Sequence, residues 1–340
     1  MDKRTEDLGL KAMAGDALSR DDGVYLAERS PFRDLVYWAG EVRERFFGDE
    51  VALCAITNAR SGACPEDCAF CAQSASHSTG APTYALLPGD DLARAGQEAE
   101  AGGADAFCIV TSGRGPAGEF GSLLERAREV KAAIGIELHV SVGSLEPSQV
   151  RDLIAAGVTT ANHNLETSER FYPSICTTHE WRERARNVEV LLEEGLAPCS
   201  GGIFGMGETW ADRVDLALAL RGLGVRRVPV NFLSPVKGTL LEGREVLGAR
   251  EALRVLAVFR LLLPEANIRT CGGRERALGG LQPMMFDAGA SATMLGNYLT
   301  TAGRPGEEDL ALIRALGLRT RAQGNNKGGP YASKPGEGDV

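Results

Sequence analysis

Residues 51–74, "VALCAITNARSGACPEDCAFCAQS", join a short apolar run to a loop that carries Cys64, Cys68 and Cys71. The run, about 51–57, has the length and β-branched content of a buried strand. Similar segments recur at a spacing that suits βα units, near 105–111, 136–142, 158–164, 197–204, 226–233, 266–271 and 291–296. Amphipathic stretches between them read as helices at about 90–101, 119–133, 147–156, 179–194, 210–222, 249–262, 275–288 and 306–316, several with a glycine close behind at the C-cap. Eight strands alternating with eight helices predict a TIM (β/α)8 barrel. A doubly wound sheet would carry a glycine-rich phosphate turn after its first strand, and here that loop carries cysteines. Residues 1–45 read as an N-terminal helical extension, 46–320 as the barrel, and 321–340, "RAQGNNKGGPYASKPGEGDV", as a disordered polar tail.

With 340 residues, 44% of them hydrophobic, the chain can bury a large core. Its formal charge of −9 is spread without a Lys/Arg block, which argues against nucleic acid and anionic membrane as partners and for a small-molecule substrate. "MDKRTEDLGL" has no apolar stretch, and "VLAVFRLLLP" is too short to span a bilayer and is broken by Arg260. The expectation is a cytoplasmic protein. In that reducing compartment its eight cysteines are metal ligands, reactive groups or small core residues rather than disulfides.

Strand ends and loops at the C-terminal face of a TIM barrel hold its chemistry, and the three-cysteine loop follows the first strand. A structural zinc site takes four ligands, commonly from two pairs, and the sequence has no second pair. Three thiolates suit a four-iron cluster with one iron left open. The spacing CxxxCxxC, with Phe70 on the same loop, resembles the signature of radical S-adenosylmethionine enzymes. The segments "SGACPEDCAFCAQS", "NHNLETS", "PCSGGIFGMGET", "VKGTLLEG" and "YLTTAGR" further resemble the biotin synthase family, in order, over roughly residues 30–320.

That resemblance implies a [4Fe-4S] cluster at Cys64, Cys68 and Cys71 that binds S-adenosyl-L-methionine through its open iron. Reductive cleavage of that cofactor then gives a radical that abstracts hydrogen from dethiobiotin, and an auxiliary iron–sulfur cluster in the barrel supplies sulfur. It also implies an electron donor such as flavodoxin or ferredoxin, and a homodimer. The radical is carried by the cofactor, so no side chain is expected to be the catalyst.

Asn162, Asn164 and Glu166 alternate and, on a strand, would share one face, where polar groups inside a core need a ligand or water. The resemblance places Phe70, Asn164, Glu166 and Arg184 at the adenosylmethionine, and Asn162, Asn164 and Asn231 at the substrate. It also places the glycine-rich "SGGIFGMGE" with its backbone against the cofactor.

Cys54 and Cys176 read as small packing residues. Cys108, Cys199 and Cys271 fall within three different strands and, facing inward, would converge. The resemblance assigns an auxiliary [2Fe-2S] cluster to three cysteines and an arginine, and Cys108, Cys199 and Arg269 match three of the four. The last position holds His139. Histidine can replace a thiolate on iron. Cys271, two residues beyond Arg269, offers an alternative, and Cys108, His139, Cys199 and Cys271 together would suit a four-iron auxiliary cluster. The runner-up function is a relative with another substrate or without sulfur insertion.

Overall fold

The computed structural model describes residues 1–321. Three helices, α1 (Lys3–Ala14), α2 (Arg20–Glu28) and α3 (Phe32–Phe47), precede the first strand. Then follow β1 (Glu50–Arg60), α4 (Gly89–Ala101), β2 (Ala106–Thr111), α5 (Phe120–Ala133), β3 (Glu137–Ser141), α6 (Pro147–Ala155), β4 (Val158–Asn162) and α7 (Trp181–Glu193). The second half holds β5 (Ala197–Cys199), β6 (Gly202–Phe204), α8 (Trp210–Gly222), β7 (Arg227–Phe232), α9 (Ala249–Leu262) and β8 (Asn267–Thr270). It ends with α10 (Arg274–Leu278), α11 (Met284–Asp287), β9 (Ala292–Met294), α12 (Gly306–Ala315) and β10 (Arg319–Thr320).

Every strand pairing is parallel, and β1 pairs with both β2 and β9, so the sheet closes into a barrel. β5 and β6 share the fifth position, both against β7, and β10 extends β1 at the bottom. The helices cover the outside, as a parallel sheet with two buried faces requires.

Local sequence explains the element ends. Ser19 and Thr209 start α2 and α8 with capping boxes to Asp22 and Asp212, and Gly15 ends α1 at φ 84°. The N-terminal helices pack through Leu35, Trp38, Ala39 and Val42 into the core shared with α9, so the extension closes the barrel's outer layer.

Some boundaries differ from the sequence reading. The strand expected over 197–204 breaks at Ser200 and Gly201: a Cβ on Gly201 would lie 2.0 Å from the Pro229 carbonyl oxygen, and one on Gly202 2.3 Å from that of Glu166. Gly201 and Gly202 of "SGGIFGMGE" are therefore demanded by backbone neighbours, while Gly205 and Gly207 take positive φ. The helix expected over 275–288 splits into α10, a 3₁₀ turn and α11 at Gly279, Gly280 and Pro283. β4 stops at Asn162, so Asn164 and Glu166 lie beyond the strand, and Glu166 turns the chain at φ 67°. Cys199 ends β5 and Cys271 lies one residue past β8, rather than mid-strand. From residue 322 onward the tail expected over 321–340 lies outside the described residues.

A buried ion pair fixes the last quarter of the barrel. Arg274, with its side chain 1% exposed, donates from Nη1 to Asp309 Oδ1 at 3.1 Å, while its Nε donates to Tyr298 Oη at 3.2 Å. Removing one partner of a buried pair strands the other charge. Asp309→Ala is expected to cost about 3–5 kcal/mol of unfolding free energy, read by denaturant titration.

Candidate functional site

A cavity of about 420 Å³ opens at the C-terminal face and reaches down the barrel axis. Cys64, Cys68 and Cys71 line its mouth, and all three are free thiols. Their loop is bent into shape. Ala63 takes φ 50°, Cys64 N donates to Gln73 O at 3.0 Å, and Ala75 N donates to Cys64 O at 2.8 Å. Left-handed backbone at a non-glycine residue is strained, and here it aims three cysteines into one cavity. Phe70 lines the same wall.

The opposite wall comes from the end of β4. Arg184, near the start of α7, donates from Nε to Asn164 O and from Nη2 to Glu166 Oε1 at 3.4 Å, and its Nη1 lies 3.0 Å from His179 Nε2. Asn164 Oδ1 accepts from Gly201 N at 3.2 Å. Burial raises the Glu166 carboxyl's pKa against the opposing pull of Arg184. Asn231 is braced between strands, accepting from Gly272 N at 3.1 Å and donating to Gly202 O at 3.3 Å. Asn162, Asn164, Glu166, Arg184 and Asn231 all line the cavity, although only Asn162 and Asn231 lie on strands.

At the cavity's base stand Cys54, Cys199, Cys271 and Arg269. Cys108 packs with Cys54 in one buried cluster. Burial raises the pKa of every one of these thiols, that of Cys199 to about 11, and Arg269 opposes that rise in each. Against its burial, the guanidinium's own pKa is raised by Cys54, Cys199, Cys271 and Glu137. Cys54, read from the sequence as a packing residue, therefore belongs to this group. Cys54 and Ile56 alternate inward on β1, and Ile56 sits opposite Cys108, a register that only the assembled sheet gives.

His139 lies opposite Cys108 in the register and is fully buried. Its Nε2 is 3.0 Å from Glu137 Oε2 and 2.9 Å from Arg227 Nη1, and burial lowers its pKa to about 4, so the imidazole is neutral. Its Nδ1 has no partner. One ring nitrogen held by a carboxylate and the other left open is the usual posture of a ligating histidine.

Several other buried polar atoms lack partners: Asn58 Oδ1, Asn162 Oδ1, His163 Nε2, Glu166 Oε2 and Arg269 Nε. Such atoms are costly unless a ligand or water satisfies them, and Asn162, His163, Glu166 and Arg269 line this cavity. The residues thus fit an iron–sulfur cluster at the mouth, a polar ligand along the wall and further iron and sulfur at the base. His163 and Tyr298 line the cavity too and were not singled out in the sequence, since neither belongs to a periodic pattern.

Residues 59–220 match the radical SAM superfamily, and residues 229–319 match the Biotin and Thiamin Synthesis associated domain. With the closed barrel and the three-cysteine loop, the chain is a radical S-adenosylmethionine enzyme. Solved structures share the fold: methylornithine synthase superposes with a TM-score of 0.81 at 18% identity, covering 92% of this chain and 97% of that one. The FeFe-hydrogenase maturase from Carboxydothermus hydrogenoformans superposes at 0.80 with 16% identity, covering 93% and 79%.

Similarity in sequence is narrower. The chain is 45% identical to the biotin synthase of Geobacter metallireducens over 94% of its own length and 98% of that protein's. It is 46% identical to that of Heliobacterium modesticaldum over 90% and 94%. The chain belongs to the biotin synthase family.

Proposed function

We propose that this enzyme inserts sulfur into dethiobiotin to form biotin. One observation supports the reading most strongly: in a chain of this family, a single cavity joins the three-cysteine loop to a group of buried thiols at its base. When bound, a [4Fe-4S] cluster at Cys64, Cys68 and Cys71 with S-adenosyl-L-methionine supplies the hydrogen-abstracting radical, and an auxiliary iron–sulfur cluster supplies sulfur.

The chain's own residues bind, orient and shield. Arg184, tied to Asn164 and Glu166, gives the upper wall a fixed positive charge for the cofactor's carboxylate, and Glu166 Oε2 and the Asn164 amide face its ribose. Phe70 covers the apolar side of the loop. Asn162 and Asn231 offer amide groups to the ureido ring of the substrate, and the brace from Gly202 and Gly272 holds Asn231 before the substrate arrives. We assign the auxiliary cluster to Cys54, Cys108, Cys199 and Cys271 in a four-iron form. Arg269 compensates the thiolates' charge, while His139, opposite Cys108 with its Nδ1 open, lies off the cavity's lining. Four thiols around one arginine support four irons better than two.

Asn231→Ala is expected to weaken dethiobiotin binding about 10-fold, the worth of one hydrogen bond to a desolvated polar group, with a smaller change for S-adenosylmethionine. Calorimetric titration with each ligand reads this, and equal losses for both would remove Asn231 from the substrate site. An electron donor of the flavodoxin or ferredoxin kind and a weakly held homodimer complete the proposal. Sedimentation is expected to give a dimer at micromolar concentration, and a monomer throughout that range would contradict it. Among the described residues, no helix is long and apolar enough to cross a membrane, in keeping with the cytoplasmic location proposed.

A further inference from the structure

Cys176 and His179 lie behind the three-cysteine loop, and neither has a part in the function proposed above. Cys176 Sγ is 3.8 Å from Cys68 Sγ, 3.3 Å from His179 Nδ1 and 3.3 Å from Asp67 Oδ1. The donor atoms of Cys68, Cys176 and His179 all fall within 4.8 Å of one another. A tetrahedral site with metal–sulfur bonds of about 2.3 Å and metal–nitrogen or metal–oxygen bonds of about 2.0–2.2 Å has sulfur–sulfur edges of about 3.8 Å and mixed edges of about 3.5 Å. The Cys68–Cys176 and Cys176–His179 spacings match those edges before any ion is present.

We propose that Cys68, Cys176 and His179 form a tetrahedral site for one divalent transition-metal ion, zinc or ferrous iron, with water in the fourth position. Asp67 lies against Cys176 rather than within the ligand group, its Oδ1 accepting from Thr177 N at 2.9 Å and Thr178 N at 3.2 Å. His179 Nδ1 now lies 2.5 Å from Glu66 Oε2. On metal binding the ring proton sits on Nε2, 2.7 Å from Tyr172 Oη, which then accepts it. Arg184 keeps Asn164 and Glu166 as acceptors. Binding releases the thiol protons, so the site gains affinity as pH rises.

Cys68 belongs to both sites, so metal here and the [4Fe-4S] cluster exclude each other. That exclusion rests on the cluster assignment made above, whereas the site itself does not. A zinc ion taken up first would hold Cys68 away from cluster assembly.

The full chain carrying both Cys64→Ala and Cys71→Ala cannot hold the cluster and keeps every ligand of the new site. Anaerobic titration of it with cobalt(II) is expected to give one equivalent bound, with thiolate charge-transfer bands and the visible bands of tetrahedral cobalt. Adding Cys176→Ala is expected to abolish the tetrahedral spectrum and weaken binding on the order of 100-fold. Cys176→Ser, nearly isosteric, is expected to do the same, which separates ligand loss from misfolding. Absence of a tetrahedral cobalt spectrum, or an unchanged one in the Cys176 variants, overturns the site. In the unmutated chain, one equivalent of zinc added before iron and sulfide is expected to delay the cluster's absorbance, and Cys176→Ser to remove the delay. Assembly indifferent to zinc overturns the exclusion alone.

Discussion

Alanine at Cys64, Cys68 or Cys71 is expected to abolish formation of 5′-deoxyadenosine, leaving only the background of the cluster-free chain. Three thiolates are the minimum that holds four irons while leaving one open. The loop that presents them has no spare thiol facing the cavity: the next one, Cys176, is buried against Cys68 and does not line it. Loss of one ligand therefore removes the cofactor's binding point, an all-or-none effect far larger than the loss of one hydrogen bond. Chromatographic quantification of 5′-deoxyadenosine under a chemical reductant reads it, and undiminished product in any one of the three variants would refute the assignment.

The second large effect lies at the other end of the cavity. Cys271→Ala and, separately, Cys54→Ala are expected to lose the auxiliary cluster's iron and sulfide and to stop biotin formation while sparing 5′-deoxyadenosine formation. The two sites share the cavity but no residue, so damage at the base leaves the mouth intact. Both thiols are fully buried, and burial disfavours their ionisation, which a bound iron centre would favour. Iron and sulfide analysis beside both product assays checks this. Full auxiliary iron and full turnover in Cys271→Ala would make that residue packing and leave a two-iron form with Cys108, Cys199, His139 and Arg269.

The barrel and the three-cysteine loop were legible in the sequence because each depends on local patterns: recurring apolar, β-branched runs of strand length, helices closed by glycine, and three cysteines within eight positions. Cys54 was not, because its partners come from other strands and an apolar run hides a single inward thiol. Asn164 and Glu166 line the cavity, but from a turn beyond β4 rather than from a strand. Their alternation resembles a strand, yet Glu166 sits at positive φ, a conformation no pattern of residue types announces. The pairing of Cys176 with Cys68 spans 108 residues and arises only when two loops of the barrel face meet.

Mössbauer spectroscopy of the chain reconstituted anaerobically with isotope-enriched iron, followed by addition of dethiobiotin, S-adenosylmethionine and reductant, tests the account most directly. The account predicts two iron populations before turnover, a four-iron site at the cavity mouth and a second four-iron site at its base, with only the second consumed as biotin appears. A single four-iron site, or 5′-deoxyadenosine formed without biotin and without change in the second population, would contradict it.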